Sequence, residues 1–251
     1  MAEALIQVTR DAEGFAILAL NRPEKLNALS KAMRRDFCEA IQALEQDPGI
    51  HVLIITATGP LFTAGLDLDE WVDGEIAAGA FDLDPVLAML GFSGPIIGAI
   101  NGPAITGGFE ISVNCDLLIV SDTASFKDTH VRVGLLPGWG LSARLPRLIG
   151  ASRAKQLAFT GETLSAQRAY DWGLVSELVP AQELMDKAKT MARQMLRGDL
   201  DTLRAYKKLL NTGLDQSLGE ALTHERATAK IHNAPVTREE VLERLKTKRT
   251  P

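Results

Sequence analysis

The run I-N-G-P-A-I-T-G-G-F-E-I-S-V-N-C-D-L-L-I-V-S-D, from Ile100 to Asp122, sets Glu110 one helical turn after Gly107. A carboxylate is costly to bury among apolar residues unless it is paired or used. Gly107 and Gly108 stand where a helix should begin, and a helix start offers free N–H groups and a positive dipole end. Thr63-Ala-Gly-Leu-Asp67 shares this layout: an apolar strand, then small residues, then a helix start. If the two preceding strands are parallel neighbours, both helix starts emerge at one edge of the sheet. The N–H groups of Leu66 and Gly107 then converge on one oxygen and stabilise developing negative charge. The same glycines also suit tight strand–helix turns with no chemistry attached. Glu110 alone also suits a buried carboxylate satisfied by Asn114 or by a backbone group. His130 is a second candidate proton carrier, although a histidine in D-T-H equally fits a hydrogen-bonded structural residue. Trp139, between two glycines, fits a pocket wall or a turn cover.

These residues need elements to position them. Leu5–Thr9 and Phe15–Leu20 read as a hairpin across Asp11–Gly14. Ser30 should cap a helix carrying Met33, Phe37, Ile41 and Leu44 at helical spacing. His51–Thr58 and Pro95–Asn101 are continuous apolar runs, as in strands buried on both faces. A helix should open near Asp67 and another cover Leu83–Phe92. Ser125–Val133 reads as extended, and Leu136–Gly140 as a turn into a helix running to Gly150. Ser152–Phe159 and Ser165–Trp172 read as helices, the second closed by Gly173, and Leu174–Val179 as a last strand. Beyond Pro180 the pattern is helical, with helices expected near 200–212, 215–232 and 237–249. Strand–helix alternation thus gives way to helices alone, which predicts an α/β core over 1–190 and an all-helical region over 191–251.

Composition narrows the function. The 251 residues are 46% hydrophobic and 24% charged, with net charge −5. That acidity, without a basic stripe carrying aromatics, argues against a nucleic-acid partner. Cys38 and Cys115 suit no metal site and fit a reducing compartment. Neither a signal-peptide pattern nor a membrane-length apolar run stands out, so a cytoplasmic protein without a membrane partner is expected. Gly138-Trp-Gly-Leu-Ser-Ala143 matches a dinucleotide fingerprint in form only, since Pro137 precedes the turn and the motif lies mid-chain. Lys246, Lys248 and Arg249 could neutralise phosphates, or simply line a solvated helix.

Several motifs then act together: Asn21-Arg-Pro with Asn27-Ala-Leu, Phe62-Thr-Ala-Gly-Leu-Asp67, Ile100-Asn-Gly-Pro-Ala104 with Gly107-Gly-Phe-Glu110, Cys115-Asp116, and Gly134-Leu-Leu-Pro-Gly138. In their order and spacing the chain resembles the enoyl-CoA hydratase/isomerase (crotonase) family. The resemblance implies a spiral of ββα turns with a helical C-terminal region that assembles trimers or hexamers. It implies an acyl-CoA thioester as ligand, coenzyme A as part of the substrate, and no separate cofactor or metal. The thioester oxygen would be held by the N–H groups of Leu66 and Gly107. Substrate contacts would involve Lys25, Leu26, Ala64, Leu66, Asp67, Leu68, Asp69, Gly107 and Trp139. Asp69–Phe81, with Trp71, would form a variable wall of the acyl pocket.

Hydratases of this family place two glutamates at the substrate. Glu110 matches the first, while His130 stands at the second. The expected function is hydration of 2-enoyl-CoA to 3-hydroxyacyl-CoA, with Glu110 as base on water and His130 as its partner. Double-bond isomerisation or another enolate reaction is the alternative among enzymes. A non-catalytic acyl-CoA binder is the alternative from another class.

Overall fold

The computed structural model describes residues 4–71 and 83–247. Residues 72–81 of the expected acyl-pocket wall, and Lys248 and Arg249, lie outside the described residues. In chain order the elements are β1 (Ile6–Arg10), β2 (Phe15–Leu20), α1 (Lys31–Glu45), β3 (Val52–Ala57), α2 (Pro85–Leu90) and β4 (Ile96–Ile100). There follow β5 (Ala104–Ile105), α3 (Gly107–Val113), β6 (Leu117–Ser121), β7 (Ser125–Lys127) and α4 (His130–Val133). Then come α5 (Leu141–Ile149), α6 (Ala151–Thr160), β8 (Thr163–Ser165), α7 (Ala166–Asp171), β9 (Glu177–Val179) and α8 (Leu184–Leu196). The last helices are α9 (Leu200–Leu214), α10 (Leu218–Asn233) and α11 (Arg238–Thr247). None among the described residues is long and apolar enough to cross a membrane.

The main sheet runs β1-β2-β3-β4-β6-β9, antiparallel only between β1 and β2. β3 reads V-L-I-I-T-A and β4 reads I-I-G-A-I, and both are almost wholly buried, as expected of central parallel strands. They pair directly, Leu53 with Ile96 and Ile55 with Gly98, so their C-terminal ends open at the same edge. A second, small sheet sets β7 between β5 and β8. Helix α1 forms as its spacing requires: the Ser30 side chain accepts from the Met33 N–H, and Met33, Phe37, Ile41 and Leu44 are buried in the core.

Three local expectations change. Ser125–Val133 is not one extended segment, because the Asp128 carboxylate accepts from the His130 N–H at 3.0 Å and bends the chain into α4. Directly after Asp67, Leu68–Trp71 form a 3₁₀ turn. The last strand is limited to Glu177–Val179, since Gly173 with φ +81° and the turn around it occupy the preceding residues.

Two compact units divide the chain, Met1–Arg193 and Gln194–Pro251. The second holds α9 to α11. Asp199 caps α9 through the Thr202 N–H and pairs with Arg244 at 2.8 Å, while Ser217 and Glu220 close a reciprocal capping box on α10.

Candidate active site

The two turns identified in the sequence meet beyond the ends of β3 and β4. Thr63 and Ala104 form a parallel bridge, with the Ile105 N–H donating to the Thr63 carbonyl at 3.0 Å. On its other side the 63–67 turn pairs with residues 26–29: Leu29 N–H donates to the Gly65 carbonyl at 2.7 Å, and Asp67 N–H to the Leu29 carbonyl at 3.4 Å. That pairing uses the groups flanking Leu66, so the N–H of Leu66 itself points away from residues 26–29. Gly107 opens α3, where no intrahelical acceptor exists for its N–H. Among the described residues, neither N–H has a hydrogen-bond acceptor. The turns touch backbone to backbone: a Cβ on Gly107 would lie 3.6 Å from the Gly65 Cα.

Thr106 brings the Gly107 N–H into this position at a conformational cost. Its φ of +50° and ψ of −101° are unfavourable for any residue with a Cβ, costing on the order of 1–3 kcal/mol. The neighbouring segment holds it there. Thr106 N–H donates to the Lys127 carbonyl at 2.8 Å, and its hydroxyl bonds the Thr129 hydroxyl. The 63–67 turn is held from below by Asn27, itself at φ +52°. Asn27 donates to the Thr58 and Leu61 carbonyls at 2.8 and 2.9 Å and accepts from the Arg22 N–H at 2.7 Å. Its side chain has no exposure, so Asn27→Ala leaves three partly buried backbone groups without these partners. The variant should lose about 2–3 kcal/mol, read as a lower denaturant midpoint at unchanged slope.

A cavity of about 350 Å³ opens beside the turns. Ala64, Leu66, Leu68, Gly107, Glu110, His130 and Trp139 all line it. Lys25, Leu26, Asp67 and Asp69, also expected at the substrate, lie outside that lining. Asp67 is buried and paired with Arg22, which also donates to the Ala28 carbonyl. Its carboxylate thus ties the 22–28 loop to the 63–67 turn. Lys25 and Asp69 form an exposed pair at 3.7 Å.

Glu110 reaches the cavity from the first turn of α3 and is 3% exposed. One oxygen accepts from the Trp139 backbone N–H at 2.7 Å. The other lies 3.6 Å from His130 Nε2. Asn114 does not bind the carboxylate, but joins the Glu110 carbonyl to the Trp139 carbonyl at 2.8 and 2.9 Å. Burial pushes the Glu110 pKa up, against the Trp139 N–H, the nearby imidazole and the Leu141 N–H, which favour the ionised form. The indole of Trp139 packs on Gly107, where a Cβ would meet its Cζ3 at 3.0 Å.

One residue of the cluster escaped the sequence reading. His130 Nδ1 lies 2.7 Å from Asp128 Oδ1, with both side chains buried. D-T-H carried the signal, since a carboxylate two residues before an imidazole can bond both its ring and its N–H. Glu110, His130 and Asp128 therefore form a continuous buried chain that ends in the cavity.

A family model described as enoyl-CoA hydratase/isomerase matches residues 10–251. A probable peroxisomal enoyl-CoA hydratase 1 of Arabidopsis thaliana is 37% identical over 243 residues, covering 96% of this chain and 91% of the plant protein. The 2,3-dehydroadipyl-CoA hydratase of Escherichia coli (strain K12) is 33% identical over 237 residues, covering 94% and 93%. The crystal structure of enoyl-CoA hydratase from Bacillus anthracis shares the fold with a TM-score of 0.91 at 32% identity, covering 99% of this chain and 98% of that one.

Proposed function

Because the chain belongs to the enoyl-CoA hydratase/isomerase family and has its crotonase fold, we propose that it hydrates 2-enoyl-CoA thioesters to 3-hydroxyacyl-CoA. The observation that carries this reading is the lining of one cavity by Glu110 together with Leu66 and Gly107, whose N–H groups have no acceptor among the described residues. The thioester oxygen accepts from the two N–H groups, which stabilise the enolate as negative charge moves onto it. Glu110 takes a proton from water while the water oxygen bonds the β-carbon and the double-bond electrons pass into the enolate. Protonated His130 gives its Nε2 proton to the α-carbon. The proton on Glu110 then crosses the 3.6 Å to Nε2 and restores the starting state. Coenzyme A is part of the substrate, and no other cofactor enters the scheme.

Purified protein mixed with crotonyl-CoA and longer 2-enoyl-CoAs should consume the conjugated double bond with kcat on the order of 1–10³ s⁻¹. No turnover across that panel, with acyl-CoA still binding in calorimetry, would make the chain a binder instead. The close approach of Glu110 to His130 also supports a second reading. A pair that passes one proton suits moving a double bond from the 3- to the 2-position, and 3-enoyl-CoA followed to its conjugated product tests it.

A cytoplasmic homotrimer, or a hexamer of two trimers, completes the proposal. Tyr206, Leu210, Leu218 and Ile231 leave apolar surface exposed on α9 and α10, which supports burial between copies. Mass measurement in solution should give three or six chains.

A further inference from the structure

We propose that Asp128 is a positioning residue for this chemistry, holding His130 with its proton on Nδ1 and its Nε2 available to Glu110 and substrate. Asp128 Oδ1 accepts from two donors of the same residue, the ring Nδ1–H at 2.7 Å and the backbone N–H at 3.0 Å. A carboxylate can only accept, so a neutral imidazole must carry its proton on Nδ1. The lone pair of Nε2 then faces Glu110 Oε2 at 3.6 Å. Two lone pairs turned on each other disfavour that contact, so a single proton shared between Glu110 and Nε2 stabilises it. The dyad can thus hold one proton and return it after each turnover, which water addition requires.

Among the described residues, no other acceptor bonds the ring nitrogens. Among the described residues, no lysine or arginine pairs with Asp128, and His130 is its ion-pair partner. The titratable groups around the imidazole are Glu110 from α3, Asp128 from the segment before α4, Arg132 within α4, and Lys155 from α6. Arg132 is turned to the Thr160 carbonyl at 3.0 Å, and Lys155 lines a second, mostly apolar cavity of about 590 Å³ that shares His130 and Gly134–Leu136 with the first. Thr129, between Asp128 and His130, bonds the strained Thr106. One three-residue segment therefore sets both the imidazole and the Gly107 turn. When the ring is doubly protonated in the cycle, the Asp128 charge offsets it within a buried site.

Asp128→Asn and Asp128→Ala separate charge from orientation. The His130 N–H should keep the asparagine oxygen in place, so D128N retains the Nδ1–H form without the negative charge. D128A removes the acceptor altogether. For crotonyl-CoA, kcat should fall about 10-fold in D128N and on the order of 10²-fold in D128A, with KM within about twofold in both. Nitrogen-15 spectra of the ring report its tautomer without any turnover. Neutral His130 should be Nδ1-protonated in the wild type and in D128N, and mixed or Nε2-protonated in D128A. The kinetic arm rests on water addition as the reaction, whereas the tautomer does not, so an inactive wild type with the expected spectra would indict the reaction and not Asp128. An unchanged tautomer in D128A overturns the proposal, as does wild-type kcat in that variant.

Discussion

Glu110→Gln should leave a folded protein that binds acyl-CoA and barely turns it over. The amide can still accept from the Trp139 N–H, so the anchoring contact at 2.7 Å survives. It cannot take a proton from water or pass one to His130. A drop in kcat of about 10³-fold follows, with KM within about threefold because the thioester contacts are untouched. The wild type should show an acid limb in kcat/KM, rising with pH as Glu110 ionises, centred above the ordinary glutamate value of 4.5 because burial raises its pKa. Stability should respond with the opposite sense. A carboxyl whose pKa is raised by folding binds more protons in the native than in the unfolded state between the two values, so native stability falls as pH rises through that window. Its contribution is intact below the unfolded value and lost above the folded one. The amide of the Glu110→Gln variant does not titrate. The variant should therefore gain on the wild type in denaturant midpoint from pH 4 upward, and reach a constant advantage once Glu110 is ionised. A variant with wild-type turnover would remove Glu110 from the mechanism, and a difference in stability that does not change with pH would contradict its raised pKa.

Gly65→Ala should be the next most damaging single change, through geometry alone. At φ +91° an L-residue is strained, and the added Cβ would lie 2.9 Å from the Ile105 carbonyl oxygen and 3.3 Å from the Gly107 nitrogen. Both neighbours are backbone and cannot swing aside. The methyl group must push the two turns apart, and the N–H groups of Leu66 and Gly107 would no longer converge. Loss of one such donor typically costs ~10²–10³ in rate, and the backbone strain costs about 1–3 kcal/mol of stability. Gly173→Ala is the matched control. Gly173 has φ +81° with nothing near its Cβ position and lies away from the cavity, so it should lose stability from strain yet keep kcat. Equal kcat in wild type and G65A would show that the two turns do not hold the thioester oxygen.

The elements that frame the site were legible because their signals are local. β3 and β4 declare themselves as continuous β-branched and apolar runs, and Ser30 with its helical stripe declares α1. Glu110 stood out because few carboxylates follow a double glycine into an apolar helix. The strands of two or three residues were harder. β5 is two residues long and gains its identity only by pairing with β7, so no periodicity could reveal it. Asp67 was expected along the substrate, yet it faces Arg22, 45 positions earlier in the chain. Asp128 lay within a motif that was read, but its effect depends on a bend that the run Ser125–Val133 does not announce.

By itself the amino-acid sequence determined the sheet-forming runs, the two glycine-marked turns, and Glu110 and His130 as candidate proton carriers, because propensity, patterning and residue type are properties of neighbours along the chain. Only the tertiary structure decided which groups meet. The parallel pairing of β3 and β4 brings Leu66 and Gly107 to one cavity, and α4 turns His130 toward Glu110 from twenty residues away. The partners that hold Glu110 and the Gly107 turn are largely backbone groups, of Trp139, Leu141 and Lys127. Every residue carries such groups, so side-chain identity cannot mark them. Their positions follow from long-range packing, and the chemistry of the site follows from those positions.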